Sequence, residues 1–240
     1  MKRIAILQSD YIPWKGYFDI INSVDEFIIY DDVQYTRRDW RNRNLIKTRT
    51  GLLWLTIPVS TKGRYDQKIS EAVVNGRNWA DKHFDSICHN YRSAPYFKEY
   101  EGLFRDGYQK AKDCHLLSQI NMVFLCLVNS ILGIKTNIHS SSEFIVGGEK
   151  NERLIEICKQ AGATEYLSGP AAKEYLDISL FKKNGIRVLW ADYSGYPEYK
   201  QLYPPFDHNV SIVDLIFNTG ANARSFMKSF NGTFINHSGI

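Results

Sequence analysis

The chain has few of the residues that build disulfide frameworks or zinc sites. Its 240 residues include four cysteines, widely spaced, and no C-x-x-C pair occurs among them. Cys88, Cys114, Cys126 and Cys158 fall mostly within apolar, helix-like patterns. We therefore expect buried free thiols in a reducing compartment, and no zinc site.

Long apolar runs are also missing. No run approaches the roughly 18 residues that a membrane-spanning helix needs. Met1-Lys2-Arg3 leads directly into a short strand-like segment, without the apolar stretch of a secretory signal peptide. These absences predict a cytoplasmic protein with no membrane span.

Several nucleotide-binding and catalytic signatures are absent as well. The chain contains neither G-x-G-x-x-G nor G-x-x-x-x-G-K. Ser168, in the sequence YLSGP, does not stand in a G-x-S-x-G nucleophile elbow. The net charge of +4 suits a small anionic ligand, and a nucleic-acid partner is not expected.

What is present is an alternation of apolar strands and amphipathic helices. The segments Arg3 to Gln8 and Glu26 to Asp31 read as buried strands joined by a helix from Tyr17 to Ser23. Such a unit is a right-handed βαβ crossover, so the sequence predicts an α/β, doubly wound, mostly parallel sheet. Leu52 to Val59 is predicted to be a third strand.

The middle of the chain departs from this alternation. Residues 78–132 read as three successive helices, which predicts a helical cap or insertion over the sheet. Strand and helix patterns alternate again after residue 136. We expect one domain over residues 1–230, followed by a loose polar tail over residues 231–240.

The turn after the first strand is the first candidate site. Ligands of doubly wound sheets bind at the carboxyl ends of the strands, and a helix N-terminus can hold a phosphate or carboxylate. Lys15 would add charge there and Gly16 would let a ligand approach the backbone, although the turn is equally explained by Trp14 acting as a buried anchor. The candidate substrate-binding residues of this stretch are Gln8, Tyr11, Trp14, Lys15, Gly16 and Tyr17.

Two adjacent carboxylates end the second strand. Successive strand residues point to opposite faces, so one of Asp31 and Asp32 is expected to enter the site. That residue would act as a base, contact a ribose or orient a metal; the alternative is a pair that caps the loop. His208 is a further candidate base, with a structural role as its alternative.

An arginine-rich segment follows these carboxylates. Arginine binds carboxylates and phosphates with two parallel hydrogen bonds and stacks on aromatic rings. The segment therefore predicts an anion clamp. Its candidate residues are Arg38, Trp40, Arg41, Asn42, Arg43 and Asn44, and Ser168 and Gly169 at the end of a later strand are added as possible substrate contacts.

Five segments together resemble one known family. They are QSDYIPWKGYFDII, DEFIIYDDVQYTRRDWRNRN, WLTIPV, YLSGPAAKEYLD and YPPFDHNVSIVDLIFNTG. In this order they resemble the WbqC-like proteins of bacterial O-antigen and other surface-polysaccharide gene clusters, which implies a role in making or decorating sugars. A remoter similarity links the first strand, turn and helix to nucleotidylyltransferase folds. Those folds carry H-x-G-H where this chain has Trp14-Lys15-Gly16-Tyr17, so this similarity implies the fold rather than the reaction.

The residues and the resemblance lead to one hypothesis with two alternatives. The hypothesis is a transferase that acylates the amino group of a nucleotide-linked amino sugar, with Asp31 or Asp32, or else His208, as the base. The first alternative is a nucleotidyl-transfer or ATP-activating enzyme that uses Mg²⁺. The second is a non-catalytic binding protein of the polysaccharide machinery. The acyl or nucleotide donor, any other cofactor and the oligomeric state stay open.

Overall fold

A computed structural model describes residues 1–236 as an α/β structure built on a six-stranded sheet. In chain order the strands are β1 (Arg3–Leu7), β2 (Glu26–Ile29), β3 (Arg43–Thr48), β4 (Gly51–Thr56), β5 (Asn137–Ser140), β6 (Glu165–Ser168), β7 (Arg187–Ala191) and β8 (Ile235–Asn236). The sheet order is β5-β2-β1-β6-β7-β8, and every neighbouring pair is parallel except β7 and β8. The predicted fold class, a doubly wound and mostly parallel sheet, is confirmed.

The order of the strands reverses beside β1. The chain first moves outward from β1 to β2 and β5, and then crosses to the other side of β1 to place β6 and β7. In open parallel sheets the carboxyl ends of the two strands at such a reversal flank a ligand crevice. The fold therefore directs attention to the segments that follow β1 and β6.

Helices cover both faces of the sheet. They are α1 (Lys15–Asn22), α2 (Asn78–Tyr91), α3 (Phe97–Lys112), α4 (Leu117–Leu132), α5 (Lys150–Gln160), α6 (Ile178–Lys183) and α7 (Ile212–Thr219). Short 3₁₀ helices lie at Ile69–Glu71, Ser141–Glu143, Pro170–Glu174, Gly220–Phe226 and Ser229–Asn231. The three helices predicted over residues 78–132 are α2, α3 and α4.

Alternating side chains of the central strands point into two separate hydrophobic cores, one on each face of the sheet. Ala5 and Phe27 point into a large core shared with α1, the three cap helices and α7. Ile4, Ile6 and Ile28 point to the opposite face, against α5 and α6. A strand buried on both faces reads as a continuous apolar run, which is why β1 and β2 are recognisable in the sequence.

The predicted third strand lies outside the main sheet. β4 pairs antiparallel with β3 in a separate two-stranded hairpin, with Thr48 opposite Gly51 at its closed end. The sequence did not predict β3, because it mixes polar and apolar residues. Two of the polar ones, Asn44 and Lys47, are nevertheless buried.

The end of the described chain packs against the rest of the fold. Phe234 is 1% exposed within the large core, and Ile235 pairs with Ala191 of β7. The aromatic side chain anchors this segment in spite of its polar neighbours. Residues 237–240 of the predicted tail lie outside the described residues. Within residues 1–236 no helix is long and apolar enough to cross a membrane.

Candidate functional site

A cleft of about 250 Å³ opens beyond the carboxyl end of β1. It lies at the edge of the sheet where the fold predicts a ligand. The residues that line it are Asp10, Pro13, Trp14, Trp40, Asn44 and Asn209. The cleft thus combines one carboxylate with two tryptophan side chains and two amides.

Asp10 is the ionisable group of the cleft. Burial raises the pKa of this carboxyl to about 7, against the opposing effect of the Arg41 guanidinium beside it. Nη1 of Arg41 donates to Asp10, and Nη2 lies 3.8 Å from Asp39. Nε of Arg41 is buried and has no hydrogen-bond partner in the described part of the chain. The pair therefore supplies a carboxylate poised near neutral pH and a guanidinium with unused donor capacity.

Asp31 holds the loop that carries Asp10 instead of facing the cleft. Its two carboxylate oxygens accept hydrogen bonds from the backbone N–H of Ser9, at 2.8 Å, and from the Ser9 hydroxyl, at 2.7 Å. Asn121 of α4 donates to the same hydroxyl oxygen and to the main-chain carbonyl of Arg41. Burial raises the pKa of Asp31, and these donors oppose that rise. The cap helix is thereby tied to both the Asp10 and the Arg41 segments.

Asp32 points to the other side of the sheet edge. Its carboxylate accepts a 2.5 Å hydrogen bond from the Ser141 hydroxyl and pairs with Arg153. The two carboxylates therefore diverge, as expected for adjacent residues at a strand end. Asp31 lies on the side of the cleft, one layer behind it.

The loop between β1 and α1 is held in a strained conformation. Ile12 has φ of 36°, a region that β-branched residues rarely adopt. Its carbonyl accepts hydrogen bonds from the Asn44 amide, at 3.1 Å, and from the Ser211 hydroxyl, at 2.7 Å. Strain of this kind persists where the surroundings over-determine it, and it concentrates at functional sites.

Trp14 forms one wall of the cleft and explains the neighbouring glycine. A Cβ on Gly16 would lie 2.3 Å from the Trp14 ring. Gly16 thus permits the close approach of an indole, rather than of a ligand as the sequence suggested. Trp14 also contacts Tyr193 edge-on at 5.1 Å between ring centroids, and a Cβ on Gly169 would lie 3.5 Å from the Tyr193 hydroxyl. Trp14 and Tyr193 therefore connect the cleft to the end of β6.

The second wall belongs to the arginine-rich segment. Trp40 is 42% exposed and its ring centroid lies 5.3 Å from that of Trp54. Arg43 stacks on Trp54 at 4.0 Å and donates to the carbonyl of Arg38, a residue with φ of 59°. Arg38 is exposed and Arg43 is half-buried. Neither arginine lines the cleft, and Arg43 is connected to it through Trp54, which contacts Trp40.

Several other predicted site residues support the fold. Tyr11 is fully buried, and its hydroxyl hydrogen-bonds to His83 and Tyr108 beneath the cap helices. It is enclosed by core side chains and cannot stack on a ligand in the cleft. Tyr17 is also buried, and its hydroxyl donates to the main-chain carbonyl of Gln8.

Asparagine side chains brace the arginine segment from within. The amide of Asn42 donates to the Ile57 carbonyl at 2.7 Å, and that of Asn44 donates to the carbonyls of Tyr11 and Ile12. Ser168 is buried at the end of β6, 5% exposed. Of these three predicted contacts, Asn44 lines the cleft.

Lys15 and His208 meet in a separate small pocket behind Trp14. Nζ of Lys15 donates to the Pro197 carbonyl at 3.2 Å and lies over the rings of Tyr196 and Tyr199. Burial lowers the pKa of Lys15 to about 8, and burial together with Lys15 lowers the pKa of His208. Nδ1 of His208 is buried without a hydrogen-bond partner among residues 1–236. Neither side chain is among the residues that line the cleft of Asp10.

The environment of Lys15 predicts an unusual dependence of stability on pH. Its pKa is about 8 in the folded protein, against the ordinary value of 10.5 for a lysine in an unfolded chain, so between these values the unfolded chain binds more protons. The contribution of Lys15 to the free energy of unfolding therefore rises with pH. We measure the free energy of unfolding with urea. Between about pH 8 and about pH 9.5, this free energy should rise by roughly 2 kcal/mol more in the wild type than in Lys15→Met.

An exposed lysine gives the matched control for that measurement. Lys98→Met, in α3, should follow the wild type across the same range. Buried tyrosines lower stability at high pH in all three proteins alike, so the differences between them isolate the amine. Parallel curves for the wild type and Lys15→Met would show that the amine is not perturbed.

Sequence reasoning missed four residues of this region. Asp10 follows the carboxyl end of a strand, where ligands of such sheets bind, but the catalytic role was assigned to the pair Asp31 and Asp32 instead. Asn121 could have been identified, because it is a polar residue inside the very apolar helix α4. Asn209 and Tyr193 lie in irregular segments whose position the sequence does not reveal.

A known protein family matches nearly the whole length of this chain. The model of the WbqC-like protein family matches residues 8–226, which include every residue of the cleft. The chain belongs to the WbqC-like protein family. The resemblance drawn from the sequence is thus confirmed at the level of the family.

A curated relative of this WbqC-like protein extends over almost the same length. It is "Uncharacterized protein Rv1507c" of Mycobacterium tuberculosis (strain ATCC 25618 / H37Rv), 49% identical over 228 residues, covering 95% of this chain and 98% of the relative. No solved structure matches the chain. The similarity to nucleotidylyltransferase folds therefore stays a prediction.

Proposed function

We propose that this WbqC-like protein is a transferase that acylates the amino group of a nucleotide-linked amino sugar, in the biosynthesis of bacterial surface polysaccharide or another modified sugar. The observation that carries the proposal is a carboxyl group with a pKa of about 7 between two tryptophan walls. Aromatic walls suit the apolar face of a sugar ring, and a carboxylate of that pKa suits proton transfer near neutral pH.

The proposed reaction assigns Asp10 the role given to Asp31 or Asp32 on the sequence alone. The amine of the sugar attacks the carbonyl carbon of the acyl donor, so that a C–N bond forms and the bond to the donor's leaving group breaks. Asp10 accepts the proton that leaves the nitrogen. Asp31 has a positioning role through Ser9, and His208 lies in the separate pocket of Lys15 rather than in the cleft.

Positive charge in the segment of Trp40 suits the diphosphate of the nucleotide-linked substrate. Arg38 is exposed in this segment, and Nε of Arg43 is buried without a partner in the described region. Arg41 also has a free Nε, but its Nη1 is committed to Asp10. The nucleotide would then extend toward Gly169, at the reversal of strand order where such sheets bind nucleotides.

A ligand screen by thermal shift tests the proposal. The panel contains nucleotides, nucleotide-linked sugars, amino-sugar derivatives and acyl-coenzyme A, with and without Mg²⁺. A ligand at about 100 times its Kd stabilises the folded state by roughly 2.7 kcal/mol, which gives a clear shift. We expect shifts with a nucleotide-linked amino sugar and with an acyl donor, and an acylated product by mass spectrometry.

Removal of one wall should weaken that binding. Trp40→Ala is expected to reduce affinity for the nucleotide-linked sugar by about 3- to 10-fold, the usual contribution of an aromatic contact. Tyr175→Ala removes a 60% exposed aromatic ring that does not line the cleft and should leave the affinity unchanged. Equal affinities for Trp40→Ala and the wild type would contradict the assignment of the cleft.

The strand order favours a second candidate, nucleotidyl transfer or ATP activation. A sheet with this reversal, and a helix that starts after its first strand, resembles mononucleotide-binding folds. If this second candidate is right, ATP should produce a thermal shift in the same screen only when Mg²⁺ is present. A shift without any turnover would instead favour a binding protein.

A further inference from the structure

The hairpin of β3 and β4 carries an exposed apolar ridge. We define the hairpin ridge as Trp40, Leu52, Leu53 and Trp54, whose exposed fractions are 42%, 41%, 40% and 39%. Leu52 and Leu53 are adjacent on β4, so they project from opposite faces of the hairpin. β4 pairs with β3, and no other strand of the described chain pairs with it.

Positive charge is concentrated around this ridge. Residues 33–68, which contain the hairpin, hold nine lysines and arginines and two acidic residues, about +7, so the rest of the chain carries about −3. The exposed cations of this segment are Arg37, Arg38, Arg49, Lys62, Arg64 and Lys68. The modest net charge of the whole protein therefore hides one strongly basic region.

Hydrogen bonds place part of this basic segment beside the ridge. Arg37 donates to the Thr61 carbonyl at 2.9 Å, and Gln34 donates to the Tyr65 carbonyl at 3.1 Å. The loop over residues 61–65 thus lies against the segment that precedes Trp40. Trp40 in turn contacts Trp54 of the hairpin.

We infer that the hairpin ridge binds the surface of an anionic phospholipid bilayer. Leucine and tryptophan side chains flanked by arginine and lysine are the usual composition of interfacial membrane contacts. Basic residues are attracted to anionic headgroups, whereas two copies of this surface would repel each other. Exposed leucines add nothing to nucleic-acid binding, which relies on cations and aromatic stacking.

This surface adjoins the cleft because Trp40 belongs to both. A bilayer in contact with the ridge lies beside the cleft mouth, and lipid-linked or membrane-proximal substrates would reach Asp10 from there. The inference stands on the composition and exposure of the hairpin and does not depend on the proposed reaction. The two fail separately, since the ridge is tested by binding to lipid and the cleft by turnover.

Flotation of the full-length protein with vesicles tests the inference. Vesicles of phosphatidylglycerol mixed with phosphatidylcholine should bind the wild type, and raised salt should weaken the binding. Arg49→Gln combined with Lys62→Gln should lower the partition coefficient roughly 30-fold, equivalent to about 1 kcal/mol for each cation. Leu52→Asn combined with Leu53→Asn should lower it at least about tenfold.

Matched variants elsewhere on the surface provide the controls. Lys182→Gln with Lys183→Gln removes two exposed cations outside the segment. Leu103→Asn with Ile178→Asn removes two apolar side chains that are 45% and 49% exposed. Both pairs should bind the anionic vesicles as the wild type does, and folding of every variant is checked by circular dichroism.

Several outcomes would overturn the inference. They are no binding to anionic vesicles, equal binding to vesicles of phosphatidylcholine alone, and equal losses in the ridge and control variants. Sedimentation of the protein without vesicles addresses a second copy as occupant. One such outcome is an oligomer that dissociates on substitution of Leu52 and Leu53, together with no binding to vesicles. This result would assign the ridge to self-association and refute the lipid assignment.

Discussion

Asp10→Asn is expected to reduce kcat by about 10²- to 10⁴-fold, the usual contribution of a positioned general base. Asparagine has nearly the same shape and still accepts a hydrogen bond from Arg41, but it cannot take a proton from the attacking amine. Affinity for the nucleotide-linked sugar, measured by thermal shift, should change little. Product formation followed by mass spectrometry gives the rates.

The pH dependence of the proposed reaction provides an independent signature. Asp10, with a pKa of about 7, is protonated and inactive as a base below that value, and ionised above it. The wild-type kcat/KM should therefore rise as the pH passes through about 7. The rise due to Asp10 should vanish in Asp10→Asn, whereas ionisation of the substrate amine affects both enzymes equally.

Asp32→Asn is the control that separates the structural assignment from the sequence hypothesis. Asp32 faces Ser141 and Arg153, away from the cleft. Its substitution should leave kcat within about twofold of the wild type, as a surface change distant from chemistry does. A large loss in Asp32→Asn together with normal turnover in Asp10→Asn would refute the role given to Asp10.

The sequence predicts the sheet well because its strands are buried on both faces. Ile4 and Ile6, and likewise Phe27 and Ile28, belong to short continuous apolar runs, which are typical of central strands. The hairpin is different, since its Lys47 is 4% exposed. That burial depends on acceptors more than 150 residues away in the chain, Gln201 and Pro205, and no local pattern announces them.

The sequence directs attention to the same sheet edge at which the structure has its cleft, but to a different carboxylate. The rule that ligands bind at the carboxyl ends of parallel strands selects both Asp10 and the pair Asp31 and Asp32. Which carboxylate faces the cleft is decided by the loop that contains Ile12, whose positive φ turns the chain after Asp10. Side chains from distant segments, Asn44 and Ser211, hold that conformation, so local sequence cannot reveal it.

Asp214→Ala is expected to destabilise the protein more than any other single change considered. Asp214 of α7 is fully buried. Its carboxylate accepts hydrogen bonds from the hydroxyls of Tyr91, at 2.8 Å, and Tyr199, at 2.6 Å, and from the amide of Gln201, at 3.0 Å. Burial raises the pKa of Asp214, and these three donors oppose the rise.

The network around Asp214 joins parts of the chain that are distant in sequence. The Tyr91 hydroxyl, at the end of α2, also accepts the backbone N–H of Lys47 in β3 at 2.9 Å, and the Lys47 amine donates to Gln201 at 2.6 Å. Removal of the carboxylate leaves several buried hydrogen-bond donors without an acceptor, and it leaves the charge of Lys47 without a nearby negative charge. We expect a loss of roughly 3–5 kcal/mol in the free energy of unfolding, measured by urea titration.

Two further substitutions show whether that loss comes from the buried acceptors. Asp214→Asn keeps one acceptor oxygen and should cost roughly 1–3 kcal/mol, since part of the network stays satisfied. Asp106→Ala removes an exposed aspartate from α3 and should change stability by less than about 0.5 kcal/mol. A loss in Asp214→Ala no larger than that in Asp106→Ala would mean that water or rearranged side chains satisfy the donors. The network would then hold the hairpin against α7 without adding stability.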